Sequence, residues 1–103
     1  MSLLAAIISE EKERIARMIS DYERELLSLP KGSLVRKNVK NKQYFYLQFR
    51  EGKKTVSSYI GNETGKIEEL RERIGRRRHI EAMLRALRIE YAQAVKFTGS
   101  VNL

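Results

Sequence analysis

The sequence predicts an α+β fold: a long helix, a three-stranded antiparallel β-meander, and a second long helix. The two helices are expected to pack as an antiparallel coiled-coil-like hairpin, all within a single domain spanning 1–103. Three observations predict this. Residues 44–50, YFYLQFR, alternate apolar and amphipathic side chains at the period of a strand. Residues 3–28 and 64–96 each repeat apolar side chains at three- and four-residue steps. Pro30, Gly32, Gly52 and Gly61 punctuate the stretch between them.

The first helix, 3–28, carries Leu4, Ile8, Ile15, Met18, Ile19, Tyr22, Leu26 and Leu29 as its stripe, with Glu11 and Glu25 interrupting it. Ser9 offers an internal N-cap, but the stripe runs through it, so one continuous helix is expected. Glu10–Arg14 and Glu13–Arg17 are i, i+4 pairs in the favourable orientation. Pro30 stops the helix, and Lys31-Gly32 turns the chain into the first strand.

The sheet is expected at 33–60. In the middle strand Phe45, Leu47 and Phe49 share one face, and Tyr44, Tyr46, Gln48 and Arg50 share the other. The first set is the core face, expected to be buried while Tyr44 and Tyr46 stay more exposed. A two-residue Glu51-Gly52 turn pairs Leu47 with Val56. Val56, Ser58 and Ile60 then join the phenylalanines, and Thr55, Ser57 and Tyr59 join the tyrosines. The first turn leaves two registers open. A Lys40-Asn41 loop sends Leu34 and Arg36 to the core face; a Lys40-Asn41-Lys42 loop sends Val35 and Val39 there. Two valines are the better core contribution, so the three-residue loop is expected.

The second helix is capped by Asn62 or Thr64, with Glu63, Glu68 and Glu69 near its positive end. Its stripe is Ile67, Leu70, Ile74, Ile80, Leu84, Leu87, Tyr91 and Ala94 or Val95. Gly75 lies inside it at a cost of about 1 kcal/mol relative to Ala, and a close helix contact or a slight bend would account for it. Gly99 is expected to end the order, leaving 97–103 as a tail. Leu3 to Ile8 is apolar nearly all round. Tyr91, Val95 and Phe97 would cover part of it, which leaves homodimerisation through the arm open.

Lys31-Gly32-Ser33-Leu34, Tyr44 to Lys53 (YFYLQFREGK) and Ser58-Tyr59-Ile60-Gly61 together resemble a small bacterial and archaeal domain family of unknown function. That family is marked by a GSL start, a YYYLxYRxGGK strand and turn, and an SxYIG end between charged helices. Its Gly-Gly turn is Glu51-Gly52-Lys53 here. The hairpins are also similar to the short N-terminal sheets of some transposases and integrases, which bind DNA ends. The resemblance implies a fold and, from the second likeness, a DNA-binding surface; it supplies no catalytic residues.

Charge singles out the same stretch. Residues 31–60 carry eight Lys/Arg against Glu51 alone. Tyr44, Tyr46 and Tyr59 lie among Lys42, Arg50 and Lys53, with Arg36, Lys40, Gln48 and Lys54 close by in sequence. Aromatic faces stack on bases and cations pair with phosphates, so these are the candidate nucleic-acid-binding residues. On the second helix Arg71 and Arg78 share a heptad position, with no acid four residues earlier, and join that set. Tyrosines also favour strands, and lysines protect sheet edges, but neither preference explains so large a local excess.

Other chemistries find little support. There is no Cys, hence no thiolate or disulfide, and a reducing, cytoplasmic setting is the simplest. His79 is the only histidine and Asp21 the only Asp, so neither a metal site nor a catalytic constellation is expected, and no cofactor. No Gly-rich phosphate loop or nucleophile elbow is present. The apolar run Leu3–Ile8 is far shorter than the roughly 20 residues of a membrane span. Glu10-Glu11 follow it and no basic residue precedes it, which argues against a signal peptide. The expected function is therefore a non-enzymatic nucleic-acid-binding accessory or regulatory protein, with a mobile element as its expected setting and DNA favoured over RNA. The alternative is a protein–protein module or inhibitor whose basic hairpin meets an acidic protein surface.

Overall fold

The computed structural model describes residues 2–101. Its elements follow the expected order: α1 (Leu3–Leu26), β1 (Ser33–Val39), β2 (Lys42–Glu51), β3 (Lys54–Gly61) and α2 (Thr64–Val101). The strands form one antiparallel sheet in the order β1-β2-β3. Two compact units result. One holds residues 29–78, the sheet with the first part of α2; the other is a helical arm of α1 and the rest of α2.

The arm begins at Ser2, whose Oγ accepts the Ala5 N–H at 3.0 Å and caps α1. The helix is continuous through Ser9 and ends two residues short of the expected 28. There Ser28 donates its hydroxyl to the Glu25 carbonyl at 2.9 Å, ahead of Pro30. The buried apolar side chains of the arm are Ala5 and Ile15 on α1 and Ile80, Leu84 and Leu87 on α2. Ala5 takes the place expected for Leu4, which is 56% exposed.

Contacts within the arm run antiparallel. Ile8 and Ile15 share a cleft with Ala94 and Phe97, and Arg88 donates to Glu23 at 3.4 Å. Ala94, not Val95, faces the seam. Leu3, Leu4 and Ile7 remain exposed. Arg14 pairs with Glu11 one turn before it, rather than with Glu10. That hydrogen bond holds the Glu11 carboxyl below its usual range and raises the Arg14 guanidinium.

Two expectations for α2 are corrected. Its first part, up to Arg78, belongs with the sheet, so α1 is matched by residues from His79 onward and not by the whole helix. The helix also continues through Gly99 to Val101. Phe97 is packed in the arm cleft, and Thr98 hydrogen-bonds back to the Ala94 carbonyl at 3.0 Å, so the last turns are held despite the glycine. Asn102 and Leu103 of the expected tail lie outside the described residues.

In the sheet unit the first hairpin departs from the valine argument. Val39 pairs with Lys42 and leaves Lys40-Asn41 as a two-residue loop, with φ of 50° and 69°. Two consecutive left-handed residues are the mark of a type I′ turn, whose twist matches that of the strands it joins. That match outweighs the gain from two valines, and the register places Leu34 and Arg36, not Val35 and Val39, on the face of Phe45 and Leu47.

The second turn is Gly52-Lys53 rather than Glu51-Gly52, closed by the pair Glu51–Lys54. Gly52 alone has positive φ, at 63°, as the first central position of a type II′ turn requires. The shift is by two positions, so every side chain keeps its expected face: Phe49 opposes Val56, and Tyr46 opposes Tyr59. A bulge at Phe45/Tyr46 then brings Gly61 opposite Phe45.

The face bearing Phe45 and Leu34 is covered by the first part of α2. Buried Ile67 and Ile74 project from that helix, with Phe45 beside Ile67 and Leu34 beside Ile74. The strand side chains themselves are at most half-buried, and Tyr44 and Tyr46 fall in the same intermediate range as Phe45 and Leu47. The expected sharp contrast between buried phenylalanines and open tyrosines is not seen, because Tyr59 covers part of both Tyr44 and Tyr46.

Candidate nucleic-acid interface

The tyrosine face is built by alternation in three strands. From β2 it takes Lys42, Tyr44, Tyr46, Gln48 and Arg50. β3 contributes Tyr59 beside Tyr46, and β1 contributes Val35 and Lys37 beside Tyr46 and Tyr44. Tyr59 is the hub. Its ring meets Tyr46 edge-on at 5.4 Å between centroids and lies tilted against Tyr44 at 6.1 Å. Both geometries let the positive edge of one ring meet the negative face of another. Tyr59 itself is 60% exposed, the most open ring of the three.

Lys37 completes the cluster. Its ammonium stands 4.6 Å from the centre of the Tyr46 ring, within cation–π range. The three-residue loop favoured by the valines would turn Lys37 to the opposite face; the observed two-residue loop brings it to the tyrosines. The signal for Lys37 was therefore the turn, not the residue.

The remaining candidates divide. Lys42 and Arg50 lie on the tyrosine face, near opposite ends of β2, and Gln48 is on the same row. Lys40 and Lys53 stand in the two turns, both exposed. Arg36 opposes Phe45 and Lys54 opposes Glu51, so both belong to the other face. Arg71 and Arg78 lie on α2, beside the β1 end of the sheet. Arg71 is not without an acid: its Nε lies 3.6 Å from Glu68 Oε1. Arg78 donates to the Ser33 hydroxyl at 3.2 Å. Arg77, which the sequence did not single out, donates to the Leu29 carbonyl at 2.8 Å, holding the chain where it enters the sheet unit.

Among the described residues no three His, Cys, Asp or Glu converge on a metal-sized site. No described helix is long and apolar enough to cross a membrane.

A family model described as a domain of unknown function, DUF6788, matches residues 8–72, well over half of the chain. The chain belongs to the DUF6788 family. The matched segment of this DUF6788 chain spans most of α1, the whole sheet and the start of α2 to Glu72, so it contains the entire tyrosine cluster. No curated protein and no solved structure matches the chain.

Proposed function

We propose that this DUF6788 protein binds nucleic acid, DNA in preference to RNA, through the tyrosine face of its sheet, as an accessory or regulatory factor rather than an enzyme. One observation carries the reading. Tyr44 and Tyr46 both pack on Tyr59, itself 60% exposed, and the three share a face with Lys37, Lys42 and Arg50 and with no acidic strand residue. Rings held by each other and by a cation lose little freedom when a base or sugar settles on them. The flanking cations replace counterions on the phosphate backbone. The likeness of the hairpins to transposase and integrase sheets favours DNA and a mobile-element setting, and the lack of cysteine fits the cytoplasm.

A gel-shift series with duplex DNA, single-stranded DNA and RNA tests this, repeated over a range of salt. Binding at micromolar protein is expected, with log affinity falling against log salt by roughly 0.9 per phosphate contact on duplex and 0.7 on single strands. Tyr59→Ala should weaken binding without changing that slope, and Lys42→Glu should flatten it. Absence of binding to all three nucleic acids at low salt would sink the reading and leave an acidic protein surface as the partner.

A further inference from the structure

Gly75 stands in the interior of α2, where glycine is the worst ordinary helix former. Gly65 and Gly99 occupy the first and last turns of the same helix, where the penalty is small. Gly75 has no such excuse, and its surroundings supply none. A Cβ built on it meets no atom within 4 Å apart from its own stretch of helix backbone, so no close approach requires its small size, which excludes the close helix contact suggested by the sequence. Its backbone is helical, so no special φ requires it.

What the glycine does supply is open space between two arginines. Arg71 and Arg78 lie four residues before and three residues after it, which places all three on one side of the helix. Two turns separate the arginines, a rise of about 10 Å that two guanidinium side chains can close by leaning inward. Together with Ser33, Leu34 and Ile74 they line a cleft of about 280 Å³. Ile74 is buried beneath it and both arginines are exposed. Arg78 is steadied by a neutral partner, the Ser33 hydroxyl at 3.2 Å, which leaves its charge uncompensated there. Arg71 has only a loose, exposed pair with Glu68 at 3.6 Å, easily exchanged for a better anion.

We propose that this cleft binds a phosphate group. Two planar, always-charged forks and a hydroxyl line one cleft, within reach of a single group, which suits the several acceptor oxygens of a phosphoryl group. Any side chain at position 75 would stand between the forks. The phosphate can belong to a free phosphorylated molecule or to a nucleic-acid backbone. The site does not depend on the tyrosine face, and the two are separable by experiment.

The full chain is titrated with pyrophosphate and, separately, with a single-stranded oligonucleotide, as wild type, Gly75→Ala, Gly75→Leu, Arg78→Gln and Tyr59→Ala. Gly75→Ala should raise Tm by a few degrees, since it removes a helix penalty and meets open space. Gly75→Leu fills the cleft and should unfold no earlier than wild type. At least one probe should bind Gly75→Leu and Arg78→Gln about tenfold or more weakly. Loss of pyrophosphate binding identifies a free phosphorylated ligand. Loss confined to the oligonucleotide identifies a backbone phosphate. If neither probe distinguishes these variants from wild type, or neither binds wild type, the inference falls. Oligonucleotide binding that ignores positions 75 and 78 but fails in Tyr59→Ala overturns the cleft and keeps the tyrosine face. Pyrophosphate binding lost in the cleft variants, with no oligonucleotide bound by wild type, does the reverse.

Discussion

The helical arm and the sheet unit solve different problems with the same amino acids. Residues 29–78 hold fourteen Lys/Arg against five Glu, a net +9, whereas the rest of the chain holds seven against eight, a net −1. Burial runs the other way. Among the described residues, five of the seven buried apolar side chains, Ala5, Ile15, Ile80, Leu84 and Leu87, lie in the arm; Ile67 and Ile74 lie in the sheet unit, both on α2. The strands hold together through their hydrogen-bonded ladder, their turns and half-covered side chains. Like charges at this density repel and weaken a compact state. A unit with so little buried apolar area gains nothing in stability from +9; the nucleic acid proposed as its ligand would offset that repulsion.

The sharpest way to break the comparison is at the arm seam. Leu84 is 2% exposed. Leu84→Asp should destabilise by several kcal/mol, because it buries an unpaired charge and empties an apolar site. Thermal unfolding followed by circular dichroism reads this, and an unchanged Tm would mean that the arm does not depend on its seam.

In the sheet unit the largest effect should come from backbone. Gly32 has φ of 113°, and a Cβ there would collide with the Gln48 carbonyl across the first hairpin. Gly32→Ala should cost roughly 1–3 kcal/mol from strain alone, seen as a lower midpoint in urea. The opposite change is available in the turn. Lys40 and Asn41 both hold positive φ, so Lys40→Asn with Asn41→Gly should stabilise by about 1 kcal/mol.

Charge reversal on the sheet comes next. Lys37→Glu removes the ammonium over Tyr46, worth about 0.5–1 kcal/mol at an exposed site, while the change in affinity for nucleic acid should be far larger. Equal effects on both would erase the distinction between the units. The smallest expected effect concerns Glu11. Its carboxyl is held low by Arg14, so that contribution is present above the ordinary carboxylate range and is lost as pH falls through the lowered value. The pair lies at the surface with both side chains about half exposed, so Glu11→Gln should flatten the acid limb of the stability profile only slightly.

Much of this was legible. The alternation of Tyr44 to Arg50 fixed both faces of β2, and Pro30 with Gly32 marked the passage from α1 to β1. The apolar stripe identified Ile15, Ile67, Ile74, Ile80, Leu84 and Leu87, all buried. The first hairpin misled because apolar content and turn geometry disagreed there. Lysine is not a residue that advertises a left-handed backbone, yet Lys40 adopts one. One wrong residue in the loop moved Lys37 off the tyrosine face and Arg36 onto it. The division of α2 between two packing environments was illegible for a different reason: both halves carry the same apolar period, and a period does not say what it faces.

The clustering of tyrosines also makes the molecule its own optical instrument. The chain has no Trp and five Tyr, so tyrosine dominates its near-ultraviolet absorption and emission. Three of the five, Tyr44, Tyr46 and Tyr59, stand ring against ring on the sheet, while Tyr22 and Tyr91 lie in the arm. Neighbouring chromophores 5.4–6.1 Å apart couple their transitions, so the sheet contributes a dichroic signal that isolated rings lack. A ligand that settles on Tyr59 perturbs that coupling and quenches its emission, whereas melting of the arm changes the environment of the other two. Occupancy of the face and unfolding of the helices can thus be followed separately in unlabelled protein.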